Sequence, residues 1–329
     1  MTSIEPPVRA HMTGEGAVWT AWERQLPDIL AAAERLWGVS PSEAISRRVT
    51  SHIFRVTVRG RQAVLKLGRP GSHLRQQAHI LGSANGQGFA YLYERDDDLG
   101  ALLMEPLGAS LGDRGHAIYD AMSPAEVLAL FHQTELVRPL VETLQVVWTL
   151  PHDLAPFPDE RTHKAARLRD LIDALADSTG ASALHGAALN RARLYADQRL
   201  SVRDVSQLVL CHGDPHPGNL LAVPSPRPGA ASGYVWVDPD GFLCEAEYDL
   251  GVVLRGFNRL ILAADDPVVA LRGWCAVLAD LTATDAEAVW QWAFIERVTT
   301  GLYLMDQGFA ERGEPFLRSA SWLIDRKRD

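Results

Sequence analysis

Leu208-Val209-Leu210-Cys211-His212-Gly213-Asp214-Pro215-His216-Pro217-Gly218-Asn219-Leu220-Leu221 is the stretch on which the reading of this sequence turns. An apolar run enters a loop made of His, Gly, Asp and Pro, and a second apolar run leaves it. After a Pro/Gly/Ser-rich turn, Gly233-Tyr234-Val235-Trp236-Val237-Asp238-Pro239-Asp240-Gly241 gives another strand-like run that ends in a carboxylate. Short apolar runs bounded by such residues read as strands around tight loops.

An Asp in a Pro-rich loop is ordinarily a turn or cap residue, so Asp214 alone says little. The joint pattern says more. Asn219 follows Asp214 at the offset at which kinases place an Asn metal ligand after the Asp that receives the acceptor's proton. Asp238, at the end of the next hairpin, is where a second oxygen ligand belongs. Ligands on strand ends suit the strict octahedral geometry of Mg²⁺. Tyr248-Asp249-Leu250-Gly251 completes the set. Phosphoryl transfer needs little more from a protein than these groups and a cation for the phosphates.

The motifs His212-Gly213-Asp214, Asn219, Val237-Asp238 and Asp249-Leu250 resemble those of the aminoglycoside phosphotransferase family. The resemblance implies an α+β, bilobal protein-kinase-like fold. Residues 1–107 would form an antiparallel β lobe with helices that binds nucleotide and includes the hinge. Residues 108–329 would form a larger, mainly helical lobe with the catalytic loop and acceptor site. Asp214 would be the base, Asn219 and Asp238 the metal ligands, and Lys66 the phosphate-binding lysine. The backbone of Glu105 and Leu107 would meet the adenine, and Asp249 would brace the catalytic loop through its N–H groups. In general texture, the Trp-rich first helix and the spacing to Lys66 are most similar to streptomycin- and hydroxyurea-type enzymes.

Composition sets the outer bounds. The 329 residues are 47% hydrophobic and 22% charged, ordinary for a globular chain long enough for two lobes. A net charge of -9 without a basic block argues against nucleic-acid binding and is compatible with a cationic small molecule. Cys211, Cys244 and Cys275 are too scattered for a zinc site or a disulfide framework and read as buried thiols. The first thirteen residues lack a signal-peptide pattern, and no run reaches the ~18 apolar residues of a membrane span. The expectation is a cytoplasmic protein with no membrane partner.

In the first third, Trp22, Leu26, Ile29, Ala33 and Leu36 recur at helical spacing across Pro27. Strands are expected over 43–49, 53–58 and 62–67, then a helix over 70–84 and a hairpin over 89–105. Thr50, Ser51 and His52 stand where kinase-like folds carry a glycine-rich phosphate loop; they read either as phosphate contacts or as an ordinary turn. Lys66 interrupts Ala63-Val64-Leu65-Lys66-Leu67, a costly place for a charge without an anionic partner. The following helix offers Gln76 and Gln77 but no Glu to pair with it.

Helices dominate from Ser123, where Ser123-Pro124-Ala125-Glu126 is an N-terminal signature. Others are expected over 160–176, 183–200, 248–264, 267–281, 284–307 and 314–327. Trp290, Phe294 and Tyr303 read as core. The leading expectation is a kinase that moves a phosphoryl group from ATP or GTP, with Mg²⁺, to a hydroxyl of an aminoglycoside. Asp240, Glu245, Glu247, Asp306 and Asp325 would draw such a cation. A metabolic kinase of an amino alcohol, sugar or natural product is the alternative, and a weakly catalytic nucleotide-binding regulator is the third reading.

Overall fold

The computed structural model describes residues 15–47, 51–69, 73–113, 126, 137–155 and 161–325. The expectations placed on Thr50, on the start of the second helix at Pro70 and on the helix cap at Ser123 lie outside these residues.

Helix α1 (Glu15–Trp37) runs through Pro27 without a break and leads into a five-stranded antiparallel sheet. Its strands are β1 (Val39–Arg47), β2 (Ser51–Val58), β3 (Arg61–Gly68), β4 (Leu92–Asp96) and β5 (Ala101–Met104), in the spatial order β1-β2-β3-β5-β4. β2 and β3 are joined by Arg59 and Gly60, both at positive φ (50° and 79°). Two such residues make the turn whose twist matches a hairpin. β1 starts at Val39, earlier than the periodicity suggests.

The period of two along β3 and β5 sorts the sheet's faces. Leu65, Leu67, Ala101 and Leu103 pack with Trp22, Ala33, Phe54 and Val56 under α1. Leu102 and Met104 point the other way, into a second core with Leu74, Ala78 and Leu81 of α2 (Leu74–Ala84). Lys66 alternates with Leu65 and Leu67, so the same rule turns it towards α2 and the lobe boundary. The strand expected from Phe89 starts only at Leu92. Phe89 and Ala90 are taken by the other lobe: Phe89 forms a parallel bridge with Trp236, and Ala90 N–H donates to Trp236 O at 3.0 Å.

The larger lobe contains α3 (Arg138–Trp148), α4 (Lys164–Leu175), α5 (Ala181–Ser201), α6 (Ala246–Arg255), α7 (Asn258–Ala263), α8 (Pro267–Thr282), α9 (Ala286–Asp306) and α10 (Ala310–Asp325). Four short strands lie between α5 and α6: β6 (Val209–Cys211), β7 (Leu220–Ala222), β8 (Tyr234–Trp236) and β9 (Phe242–Cys244). α9 is the central post, buried on nearly every side from Ala288 to Leu302. Such a helix belongs inside a bundle. Trp290 and Phe294 are core residues as expected, whereas Tyr303 is 53% exposed. The cap of α9 is Asp285, which accepts from Glu287 N–H at 2.9 Å. All three cysteines are free and buried. Among the described residues, no helix is long and apolar enough to cross a membrane. The architecture is the bilobal protein-kinase-like one.

The sheet lobe has a small core, so it is sensitive to cavities. Leu65 is fully buried beneath α1. Leu65→Ala is expected to destabilise the protein by about 2–5 kcal/mol, read as a fall in the urea midpoint of the unfolding transition. A change below about 0.5 kcal/mol would contradict the packing described.

Candidate active site

β6 pairs with β9 and β7 with β8, both antiparallel. The loop from β6 to β7 (212–219) and the loop from β8 to β9 (237–241) therefore emerge side by side. They are stitched by backbone bonds: Asp240 and Gly241 donate to His212 O at 2.9 and 3.2 Å, and Val237 N–H donates to Asn219 O at 2.9 Å.

His212 adds a side-chain bridge. Its Nδ1 accepts from Asp214 N–H at 3.1 Å, and Nε2 lies 3.0 Å from Val237 O. Only the tautomer with the proton on Nε2 satisfies both contacts. The ring lies between Phe89 and Trp236 and is fully buried. Burial lowers its pKa to about 4, so it is neutral at pH 7.

Asp249, in the first turns of α6, sits beneath the same loop. Its carboxylate accepts from His212 N–H (2.8 Å), Gly213 N–H (2.9 Å) and Trp148 Nε1 (2.9 Å). The brace implied by the resemblance is thus present. Burial pushes the carboxyl up to about 6, against the pull of these three donors. Gly213 has φ +92°, and a Cβ there would lie 2.6 Å from Asp240 Cβ. The loop can pass this point only without a side chain.

Asp214 is half-buried. One carboxylate oxygen pairs with Arg255 at the end of α6, and the other lies 3.7 Å from His216 Nε2. Burial opposes its ionisation, but Arg255, His216 and His212 outweigh burial and hold the carboxyl below its ordinary range. Arg255 is itself held by buried Glu296 of α9 at 3.1 Å, and Glu296 accepts from Tyr248 Oη at 2.6 Å. Arg255 and Glu296 carried no signal in the sequence, because no local spacing links them to Asp214.

Asn219 donates from Nδ2 to Asp214 O at 3.0 Å, which fixes the amide and turns Oδ1 away from the loop backbone. Asp238 adopts a left-handed backbone with φ 58° and places Oδ1 2.5 Å from Lys66 Nζ. Lys66 also donates to Gln77 Oε1 at 2.7 Å. A neutral amide of α2 therefore stands where the resemblance suggested a Glu. Asn219, directly before β7, and Asp238, two residues past β8, are hard oxygen donors, a set that fits Mg²⁺ completed by phosphate oxygens. No group of three or more His, Cys, Asp and Glu among the described residues could hold a metal by itself.

The remaining expected residues divide. Glu105 and Leu107 lie on the segment between the lobes, just after β5. Ser51 and His52 begin β2, and both are buried. The His52 ring stacks on Trp22 of α1 at 4.9 Å. Its side chain thus packs the sheet lobe, and its backbone lies in the ladder opposite Arg47 of β1 and Leu67 of β3. Of the acids, Glu245 is taken by Arg199 (3.3 Å) and Trp292 Nε1 (2.6 Å), and Glu247 accepts from Asp285 N–H (3.1 Å). Asp306 accepts from Gln307 at 3.0 Å. Asp325 is the last residue of α10. Asp240 is exposed beside Asp214.

The sequence matches the phosphotransferase enzyme family over residues 43–233, more than half of the chain. The chain belongs to that family. It is an ATP-dependent phosphotransferase that acts on hydroxyl-bearing small molecules. No curated protein matches it. Among solved structures, the phosphotransferase is similar to aminoglycoside phosphotransferase APH(4)-Ia in ternary complex with ADP and hygromycin B. The TM-score is 0.60 at 13% identity, over 90% of this chain and 98% of the other. Choline kinase from Streptococcus pneumoniae aligns with TM-score 0.55 at 13% identity, over 91% and 99%. Spectinomycin phosphotransferase APH(9)-Ia, in complex with ADP and spectinomycin, aligns with TM-score 0.52 at 12% identity, over 91% and 94%.

Buried histidines give this phosphotransferase a pH signature. His212 and His163 are both lowered by burial from 6.5 to about 4. Between those values the unfolded chain binds protons that the native state does not. Stability then rises with pH through the window, by up to ~1.4 kcal/mol per unit and group, and is lost as pH falls through it. Asp249, raised from 3.8 to about 6, has the opposite sign, with stability lost as pH rises through that range. One substitution separates the two effects. His163 caps α4 by accepting from Ala165 N–H, a task Asn can also perform. His163→Asn is expected to flatten the plot of urea midpoint against pH between pH 4 and 6.5. An unchanged slope would show that His163 titrates normally.

Proposed function

We propose that this phosphotransferase moves the γ-phosphoryl group of ATP to a hydroxyl of a cationic small molecule, and that an aminoglycoside is the first candidate. The observation that carries the reading is the His212 bridge, which ties the Asp214 loop to the Asp238 loop while Asp214 remains ionised and half-exposed. Asp214 orients the acceptor hydroxyl and receives its proton. Arg255 keeps the carboxylate charged and in place. Asn219 and Asp238 would hold Mg²⁺, which when bound neutralises charge on the phosphates. Lys66 binds the phosphates, and the segment from Glu105 to Leu107 meets the adenine. Nothing becomes covalently attached to the protein; the rate comes from positioning and fixed charge. The nucleotide lobe is taken as residues 1–107 and the acceptor lobe as residues 108–329. An ATP-dependent reaction suits the cytoplasm.

Support for a cationic acceptor comes from the net charge of -9, from Asp240 beside Asp214, and from the antibiotic-bound structures that share the fold. Glu245 and Glu247 do not contribute, since their carboxylates hold the lobe together. That leaves fewer acids for a polycation than the sequence suggested. It favours, as the second reading, a smaller amino alcohol, in keeping with the similarity to a choline kinase. No residue singles out a streptomycin- or hydroxyurea-type branch.

Asp214→Asn is expected to leave nucleotide binding nearly intact and to lower kcat by ~10²–10⁴. Full turnover in that variant would refute the base. Asp238→Ala is expected to abolish the Mg²⁺ dependence of nucleotide affinity, measured by calorimetry with and without the metal. Affinity in the parent that ignores Mg²⁺ would refute the ligand roles. For the acceptor, a nucleotide-consumption screen compares aminoglycosides, amino alcohols and neutral polyols at low and high salt. Cationic acceptors are expected to lose affinity with salt, because exposed charges are screened beyond ~8 Å at physiological ionic strength. Salt-insensitive preference for neutral polyols would reject the cationic class.

A further inference from the structure

Arg227 leaves the β7–β8 connection of the helical lobe and enters the back of the hinge. It pairs with both oxygens of Glu105, Nε to Oε2 at 3.2 Å and Nη2 to Oε1. The same guanidinium donates to Gly86 O at 2.7 Å, Phe89 O at 3.0 Å and Pro228 O at 3.0 Å, and lies 4.2 Å from the Tyr91 ring centroid. The two side chains are only 13% and 8% exposed. A planar fork with every arm occupied fixes orientation as well as charge.

The hinge is pinned at both ends. Glu105 N–H donates to Tyr91 O at 3.0 Å, and the Glu105 carboxylate accepts from Tyr91 N–H at 2.8 Å. Further on, Gly108 N–H donates to Ala222 O at 2.7 Å, and Ala222 N–H donates to Ala109 O at 3.1 Å. Pro106, between the pins, has no N–H. Among the described residues, no hydrogen bond uses Glu105 C=O or Leu107 N–H. The open strip thus offers an acceptor followed by a single donor. Adenine presents the amine at N6 next to the acceptor N1, which matches that order. Guanine presents the acceptor O6 next to the donor N1–H, the reverse order.

We infer that Arg227 is a positioning residue that makes the hinge select adenine over guanine nucleotides, by holding Glu105 so that its carbonyl and the Leu107 N–H keep this order. The inference rests on the nucleotide site proposed above. Without the fork, the Glu105 side chain keeps only its bond from Tyr91 N–H, the 105–107 peptides have more freedom to rotate, and the order of donor and acceptor is less firmly imposed.

The experiment measures affinity for non-hydrolysable ATP and GTP analogues with Mg²⁺ by calorimetry, in the parent, Arg227→Met and Glu105→Gln. The parent is expected to bind the ATP analogue about 10²-fold tighter, since guanine leaves two hinge groups mismatched. Arg227→Met, which keeps an apolar stem against Tyr91, is expected to weaken the ATP analogue about tenfold and the GTP analogue less than about twofold. The ratio then shrinks. Equal weakening of both analogues would reduce Arg227 to structural support and overturn the inference, as would equal affinities in the parent. Should Arg227→Met fail to fold by circular dichroism, Glu105→Gln decides. It keeps the side chain's shape and the bond from Tyr91, must shrink the same ratio, and overturns the inference if it does not. A parent that binds neither analogue would sink the nucleotide site along with the inference, whereas tight ATP binding with an unmoved ratio sinks the inference alone.

Discussion

His212 has to be donor and acceptor at once, and only a neutral imidazole can do that. Protonation would turn Nδ1 into a donor facing the Asp214 N–H and break the link between the two loops. Burial between Phe89 and Trp236 prevents this over the ordinary pH range. The rest of the site is built outward from that ring. Its carbonyl receives Asp240 and Gly241, its N–H reaches Asp249, and its Nε2 anchors the residue before Asp238. A loop of Gly and Pro residues would otherwise have many conformations, and one side chain removes most of them.

Beneath the ring, support passes to long helices. Asp249 of α6 fixes the loop backbone, and Glu296 of α9 fixes Arg255, which fixes Asp214. α9 can carry a carboxylate and the guanidinium of Arg297 in its interior because both are used. Arg297 donates to Leu254 O at 2.9 Å and Arg255 O at 3.0 Å, satisfying carbonyls at the end of α6 that the helix itself cannot. The chain thus places deeply buried charges where they hold the Asp214 carboxylate.

The bilobal fold and the Asp214, Asn219 and Asp238 constellation were legible because they are written locally, in spacing along one loop and one hairpin. Asp249 was legible through the motif that contains it. The partners were not. Arg255 lies 41 residues from Asp214, and Arg227 lies 122 from Glu105, with no periodicity to connect them. Charged residues misled in the other direction. Glu245 and Glu247 follow Asp238 closely enough to resemble a binding surface, yet an Arg and a Trp from distant helices claim the first and a helix start claims the second. Proximity in sequence carries no information about which acids have already found a partner. His52 likewise occupies the position of a phosphate loop while its ring stacks on Trp22.

Among the described residues, the neutral amide of Gln77 leaves the buried ammonium of Lys66 with Asp238 as its one anionic partner. A divalent cation alone would draw Asp238 away and strand the ammonium. A polyphosphate alone would draw Lys66 away and strand the carboxylate. Either intermediate leaves a charge without its counter-charge at a largely buried position. On the roles proposed for these residues, the site therefore favours arrival of metal and polyphosphate as one pre-formed complex, each neutralising what the other exposes.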